Sequence, residues 1–202
     1  MGMLRQLFGP SRDEIWSQLA AEIGARHEPN FWGGGKVQID YGEWTITLDT
    51  YTVSTGKTTH HYTRFRDPYV NADGFRFDIH RKHIFTGLSK WLGMQDLEVG
   101  HKEFDEAFVV QGNDETKVRA LFANEGIRNL IAAQPAIAFS VRGDQGWFSR
   151  IYPDGVDELY FQVGGIIKDV ARLKELFALF GLVLDQLCEL GSAYQTSPQV
   201  KL

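Results

Sequence analysis

The chain has 202 residues, 43% hydrophobic and 23% charged, with a formal net charge of −5. That length can bury a full core, and the composition is that of a folded protein rather than a disordered or fibrous one. No basic stretch offers the electrostatic footprint a nucleic-acid partner needs, and the single cysteine, Cys188, excludes an internal disulfide.

The longest apolar run, Leu176 to Leu184, lies between Glu175 and Asp185 and is about half of what a bilayer demands, so no transmembrane segment is expected. Met1 to Phe8 is too short for the hydrophobic region of a secretion signal, and Gln6 stands where an acylation signal needs Ser or Thr. The expectation is a soluble, cytoplasmic protein.

Ser11 caps a first helix, with Asp13 and Glu14 in its opening turn and Ile15, Trp16, Leu19, Ala20 and Ile23 as its apolar stripe, ending near Gly24. Asn30 to Gly35 reads as a bend. The next strands have a register set by parity. A turn at Gly42 pairs Ile39 with Trp44 and Val37 with Ile46. A turn at Ser54 to Lys57 then sets Ile46 against Phe65 and Leu48 against Thr63. A third turn, from Asp67 to Gly74, brings Phe75 or Phe77 opposite Phe65. Every step keeps Val37, Ile39, Trp44, Ile46, Leu48, Phe65, Phe75, Phe77 and Ile79 on one face, which predicts a four-stranded antiparallel meander. The other face carries Asp49, Tyr51, His60, Tyr62, Arg64, Arg76, Asp78 and His80.

Gly87 to His101 lacks a period and reads as a connector. Phe104 to Gln111 reads as a strand. A helix capped at Asn113-Asp114 follows with Val118, Leu121 and Phe122, then a second short helix with Ile127, Leu130 and Ile131, stopped by Pro135. Ile137, Phe139 and Val141 alternate along a strand. Turns at 143–146 and at Pro153 to Gly155 lead through Trp147–Tyr152 to the strand of Leu159, Phe161 and Val163. The last element is a helix from Ile166 to Leu190 with Gly191 past its end. One stripe is Ile166, Val170, Leu173, Phe177, Phe180, Leu184 and Leu187. The opposite stripe is polar at both ends and apolar at Leu179 and Leu182, so the helix is buried nearly all round at its centre. Gly181 there predicts the close approach of another backbone. Tyr194 to Leu202 reads as an unstructured tail.

The fold class expected is α+β. Two antiparallel meander regions pack with the N-terminal helix, the short helical pair and the long C-terminal helix, as one domain over 1–202 or two lobes, 1–86 and 104–191, joined by 87–103.

The run from Glu103 to Asp114 has the form F-x-x-x-F-x-V-x-x-x-D, through Phe104, Phe108, Val110 and Asp114, and Ala136 to Val141 follows the helical pair as an "I-x-F-S-V"-like strand. Over roughly residues 103 to 165 the chain resembles an uncharacterised bacterial family known only as a domain of unknown function. The resemblance implies a membrane anchor ahead of this core in typical members and supplies no catalytic residues.

No cofactor is expected. Gly56-Lys57-Thr58 lacks the earlier glycine and the following helix of a phosphate-binding loop, and Gly33-Gly34-Gly35-Lys36 leads into a strand. The predicted meander brings His60 opposite or diagonal to His80, with Tyr62 and Asp78 alongside. Two imidazoles, a carboxylate and a phenol make a candidate acid–base or metal site, His60 and His80 being the ligands; binary patterning alone also places polar residues on such a face. Leu179 and Leu182 form a patch for the N-terminal helix or for a second copy in a homodimer. Two functions follow. The preferred one is a non-catalytic binding or assembly module acting through protein contacts; the other is a small hydrolase or metal-dependent enzyme using the His60, Tyr62, Asp78 and His80 face.

Overall fold

A computed structural model describes residues 9–29, 35–82, 95–143 and 152–202. Most of the predicted bend at 30–35, most of the connector after Gly87, the turn after Gly143 and most of the predicted Trp147–Tyr152 strand lie outside these residues. Among them the chain forms five helices and one ten-stranded antiparallel sheet.

The first helix, α1 (Arg12–Ile23), starts as its sequence predicts. The Ser11 hydroxyl accepts from the Glu14 amide and the Glu14 carboxylate accepts from the Ser11 amide, a capping box that satisfies two otherwise orphaned donors. Gly24 closes it in the left-handed region at φ 69°. Then come β1 (Arg26–Glu28), β2 (Lys36–Tyr41), β3 (Trp44–Ser54) and β4 (Thr59–Asn71). They form an antiparallel meander with the predicted apolar face, but each pairing is displaced by two residues. Ile39 faces Ile46 and Val37 faces Leu48, while Leu48 faces Phe65 and Thr50 faces Thr63. A slip of two preserves the face, because the side-chain period is two.

The fourth strand of the predicted meander is elsewhere. Asp67 to Asn71 continues β4 instead of turning. Pro68, which has no N–H to donate, falls where β4 has passed its last described β3 pair, Thr47 with Arg66, and has not yet met β10 (Ala193–Tyr194) at Val70. The turn comes at Asn71 to Gly74, where the Asn71 side chain accepts from the Gly74 amide at 3.0 Å. The chain then crosses to β5 (Phe77–Arg81), followed by β6 (Gln95–Leu97), α2 (Lys102–Ala107) and β7 (Phe108–Gly112). Phe104, expected on a strand, is on α2 instead. Next are α3 (Glu115–Ala123) and α4 (Glu125–Ala132), capped by Asp114 and Asn124. After β8 (Ala138–Arg142) and β9 (Val156–Gly164) comes α5 (Val170–Glu189). The sheet order is β1-β2-β3-β4-β9-β8-β5-β7-β6, with β10 pairing β4. The predicted meander regions are thus parts of one sheet, joined through β9, which pairs β4 on one side and β8 on the other.

The helices pack on the apolar face of the sheet. Phe177 and Phe180 of α5 meet Phe65 of β4 at ring distances of 4.9 and 5.7 Å, and Phe180 reaches Phe139 of β8 at 5.4 Å. Phe122 of α3 packs edge-on against Phe77 of β5 at 5.7 Å. α5 is apolar almost all round at its centre, as predicted, and packs against both α1 and α4. It begins at Val170, capped by Asp169, rather than at Ile166. The close approach at Gly181 is made by a side chain rather than a backbone. A Cβ there would stand 3.0 Å from the Tyr41 ring, whose hydroxyl donates to Asp185 at 2.6 Å. The tail is not wholly unstructured either, since Tyr194 is in β10.

Candidate functional site

On the face of the sheet away from the helices, the strands place their polar residues in rows. One row runs Asp49, Arg64, Gln162, Ala138, His80; the next runs Thr47, Arg66, Tyr160, Ser140, Asp78. Sequence reading named Asp49, Arg64, Asp78 and His80 of these rows, but not Thr47 or Arg66. It missed Glu158, Tyr160 and Gln162 of β9, although they alternate with the Leu159, Phe161 and Val163 that marked the strand.

These side chains bind one another. Asp49 accepts from Arg64 Nε and Arg66 Nη2, both at 2.5 Å. Arg66 also approaches Glu158 at 3.9 Å. The Tyr152 hydroxyl donates to Glu158 at 2.6 Å. Gln162 accepts from both Tyr51 and Tyr160 at 2.8 Å. The Arg142 guanidinium lies 3.5 Å over the Tyr160 ring, and Arg64 lies 4.9 Å over Tyr51, which stacks on Tyr62 at 5.0 Å. Asp49, Glu158, Tyr160 and Gln162 are all buried, so their pairing replaces lost hydration more than it adds stability. Burial pushes the Glu158 carboxyl above its usual range, against the pull of the Tyr152 hydroxyl and the Arg66, Arg142 and Arg64 guanidiniums. Burial likewise raises the Tyr51 phenol.

The predicted His60–Tyr62–Asp78–His80 cluster does not assemble. His60 and His80 share the polar face, but β9 and β8 stand between their strands. His80 is in the row of Arg64, and His60 is four residues farther along β4. Strand spacing and rise put the two roughly 20 Å apart, far beyond a shared ion. His60 is exposed opposite Val53, and Tyr62 stacks at the base of the same hairpin. What survives is the pair on β5, where His80 Nδ1 lies 3.1 Å from Asp78 Oδ1. Among the described residues no group of three or more His, Cys, Asp or Glu side chains is placed to hold a metal ion. Leu179 is fully buried, and Leu182 is half-buried near Gly126 of α4, so both have cover within one chain.

The other prominent feature is the end of the β3–β4 hairpin. β9 accompanies β4 from Val70 to Thr63, and β2 accompanies β3 only to Leu48. The three outer rungs, Thr52 with His61, Val53 with His60 and Ser54 with Thr59, form a two-stranded arm with no third strand among the described residues. Residues 52–61 are all exposed, Val53 at 41%. Gly56 makes the tight turn in the left-handed region, at φ 81°. Among the described residues no helix is long and apolar enough to cross a membrane.

No protein-family model and no curated protein matches the chain. Among solved structures, the crystal structure of the mycobacterial trehalose monomycolate transport factor A, TtfA, matches with a TM-score of 0.51 at 10% identity, over 94% of this chain and 98% of that one. At that identity the likeness is one of fold.

Proposed function

We propose that this chain is a non-catalytic binding or assembly module acting in the cytoplasm through protein contacts, with the β3–β4 arm as its contact element. The observation that carries this reading is the arm itself. A two-stranded ribbon is marginal on its own, yet this one extends past the sheet rich in threonine, with Val53 open to water and paired with the exposed His60. The outer edge of β3 beyond Leu48 has no strand partner among the described residues, and such an edge accepts an added strand from another chain. The fold shared with a mycobacterial transport factor supports a binding role. The same proposal groups residues 103–165 with the uncharacterised bacterial family, a reading supported by the F-x-x-x-F-x-V-x-x-x-D resemblance.

Photo-crosslinking tests the arm. A benzophenone side chain at Val53 in the source cells should give a discrete adduct of defined mass, and one at the exposed Ser17 of α1 should not. Absence of an arm-specific adduct would overturn the assignment.

A further inference from the structure

Far along the sheet from the arm, beside β7, lies a cleft of about 520 Å³ between α2 and α4, within the size range of small-molecule sites. Its apolar lining is Phe104, Ala107, Phe108 and Ala132, the two rings 4.7 Å apart. Its charged lining is Arg81, Lys102 and Arg128 against the one carboxylate of Glu103. In a chain of net charge −5, a concave surface with three cations and one anion concentrates negative ligands.

The two arginines are held in place before any ligand arrives. Arg81 donates through Nε to the Gln134 carbonyl at 2.8 Å and through Nη2 to the Ala132 carbonyl at 2.7 Å, while its guanidinium lies 4.8 Å over the Phe108 ring. Arg128 donates through Nη1 to the Phe122 and Ala123 carbonyls at 2.5 and 2.8 Å. Arg81 Nη1, and Nε and Nη2 of Arg128, have no hydrogen-bond partner among the described residues. A guanidinium fixed on one edge and open on the other binds an oxyanion with little further loss of side-chain freedom. Lys102 stands at the rim, its side chain 88% exposed and 4.0 Å from the Glu106 carboxylate.

From this pairing of fixed cations with an aromatic floor, we infer that the α2–α4 cleft binds a small amphiphilic anion, its phosphate or carboxylate head on Arg81 and Arg128 and its apolar body on Phe104 and Phe108. The inference is independent of the arm. The same chemistry occurs in soluble acyl or aryl phosphates and in lipid headgroups, and the cleft takes the single molecule.

Calorimetric titration of the full chain with octyl phosphate, inorganic phosphate and 1-octanol separates the parts. Octyl phosphate should bind at least about tenfold more tightly than either of the others. Arg128→Gln should weaken it about tenfold, and Ala107→Trp, which fills the cleft, should abolish it. Arg26→Gln, on β1 at the opposite edge of the sheet, should change nothing. Arg128 holds helix-end carbonyls, so thermal melting accompanies each variant. If Arg128→Gln or Ala107→Trp fails to fold, Lys102→Glu on the open rim should still weaken octyl phosphate several-fold and flatten its dependence on salt. Equal affinity for octyl phosphate and octanol, or for octyl phosphate and inorganic phosphate, would overturn the inference. So would unchanged binding in a folded Ala107→Trp protein. Sedimentation with phosphatidylglycerol vesicles without binding of octyl phosphate would overturn it too, in favour of a membrane surface.

Discussion

Asp67 is the residue whose placement most contradicts its type. Parity on β4 turns it toward the helices with Phe65 and Tyr69. It is fully buried, and neither carboxyl oxygen has a hydrogen-bond partner of good geometry among the described residues. Burial holds its pKa well above 3.8, helped by Glu158 and opposed by the nearby Thr45 backbone, so burial favours the neutral acid. The sign of the pH effect follows. Between 3.8 and the raised folded value the native state keeps a proton that the unfolded chain has released. The contribution of Asp67 to stability is therefore greatest below 3.8 and falls by about 1.4 kcal/mol per pH unit across that window. Asp67→Asn, isosteric with the neutral acid, should flatten this slope and melt higher than wild type at pH 7. Denaturant unfolding at several pH values checks it; an unchanged slope would mean Asp67 finds a partner in solution. Nothing in the sequence marked this residue, because an acid before a proline and an aromatic reads as a turn. Glu158 escaped for a different reason. A strand found by its apolar alternates hides its polar ones until the neighbouring strands are known.

At the scale of elements, legibility followed the source of the signal. The helices other than α2, which was read as part of a strand, were readable because period and caps are local. Ser11, Asp114 and the stripe of α5 each announce themselves within a few residues. The strands were half readable. Alternation gave the correct face for Val37, Ile46, Leu48 and Phe65, but it cannot distinguish registers two residues apart, nor say which apolar-faced strand stands next to which. Hence His60 and His80 were assigned the correct face and the wrong distance. Gly181 of α5 shows the same limit, its small size signalling a close neighbour without identifying it. Gly181→Ala gains about 1 kcal/mol of helix propensity and pushes the Tyr41 ring, 37% exposed, off Asp185. The hydrogen bond to Asp185, with burial, raises the Tyr41 phenol to about 12. The variant should therefore melt within a few degrees of wild type, while ultraviolet titration shows one tyrosine moving back toward 10. A tyrosine still near 12 would show that the ring accommodates the methyl group.

For the whole molecule, the decisive element is β9. Phe161 meets Phe65 of β4 and pairs with Phe139 of β8, and one buried apolar cluster runs from Ile15 to Ala193. With core and sheet both shared, the chain should unfold in a single transition whose calorimetric and van't Hoff enthalpies agree. Two resolved transitions would instead reveal lobes divided near residues 87–103.

The position of β9 also bears on how the chain is made. β4 and β8 both leave the ribosome before the strand that joins them, and β4 waits far longer than β8. Until Gly164 has cleared the exit tunnel, each shows an unpaired edge beside exposed phenylalanines, a template for pairing with the wrong chain. The nascent protein thus has an interval of vulnerability bounded by Asn71 and Gly164, and a holdase chaperone acting on this chain would find its work concentrated there.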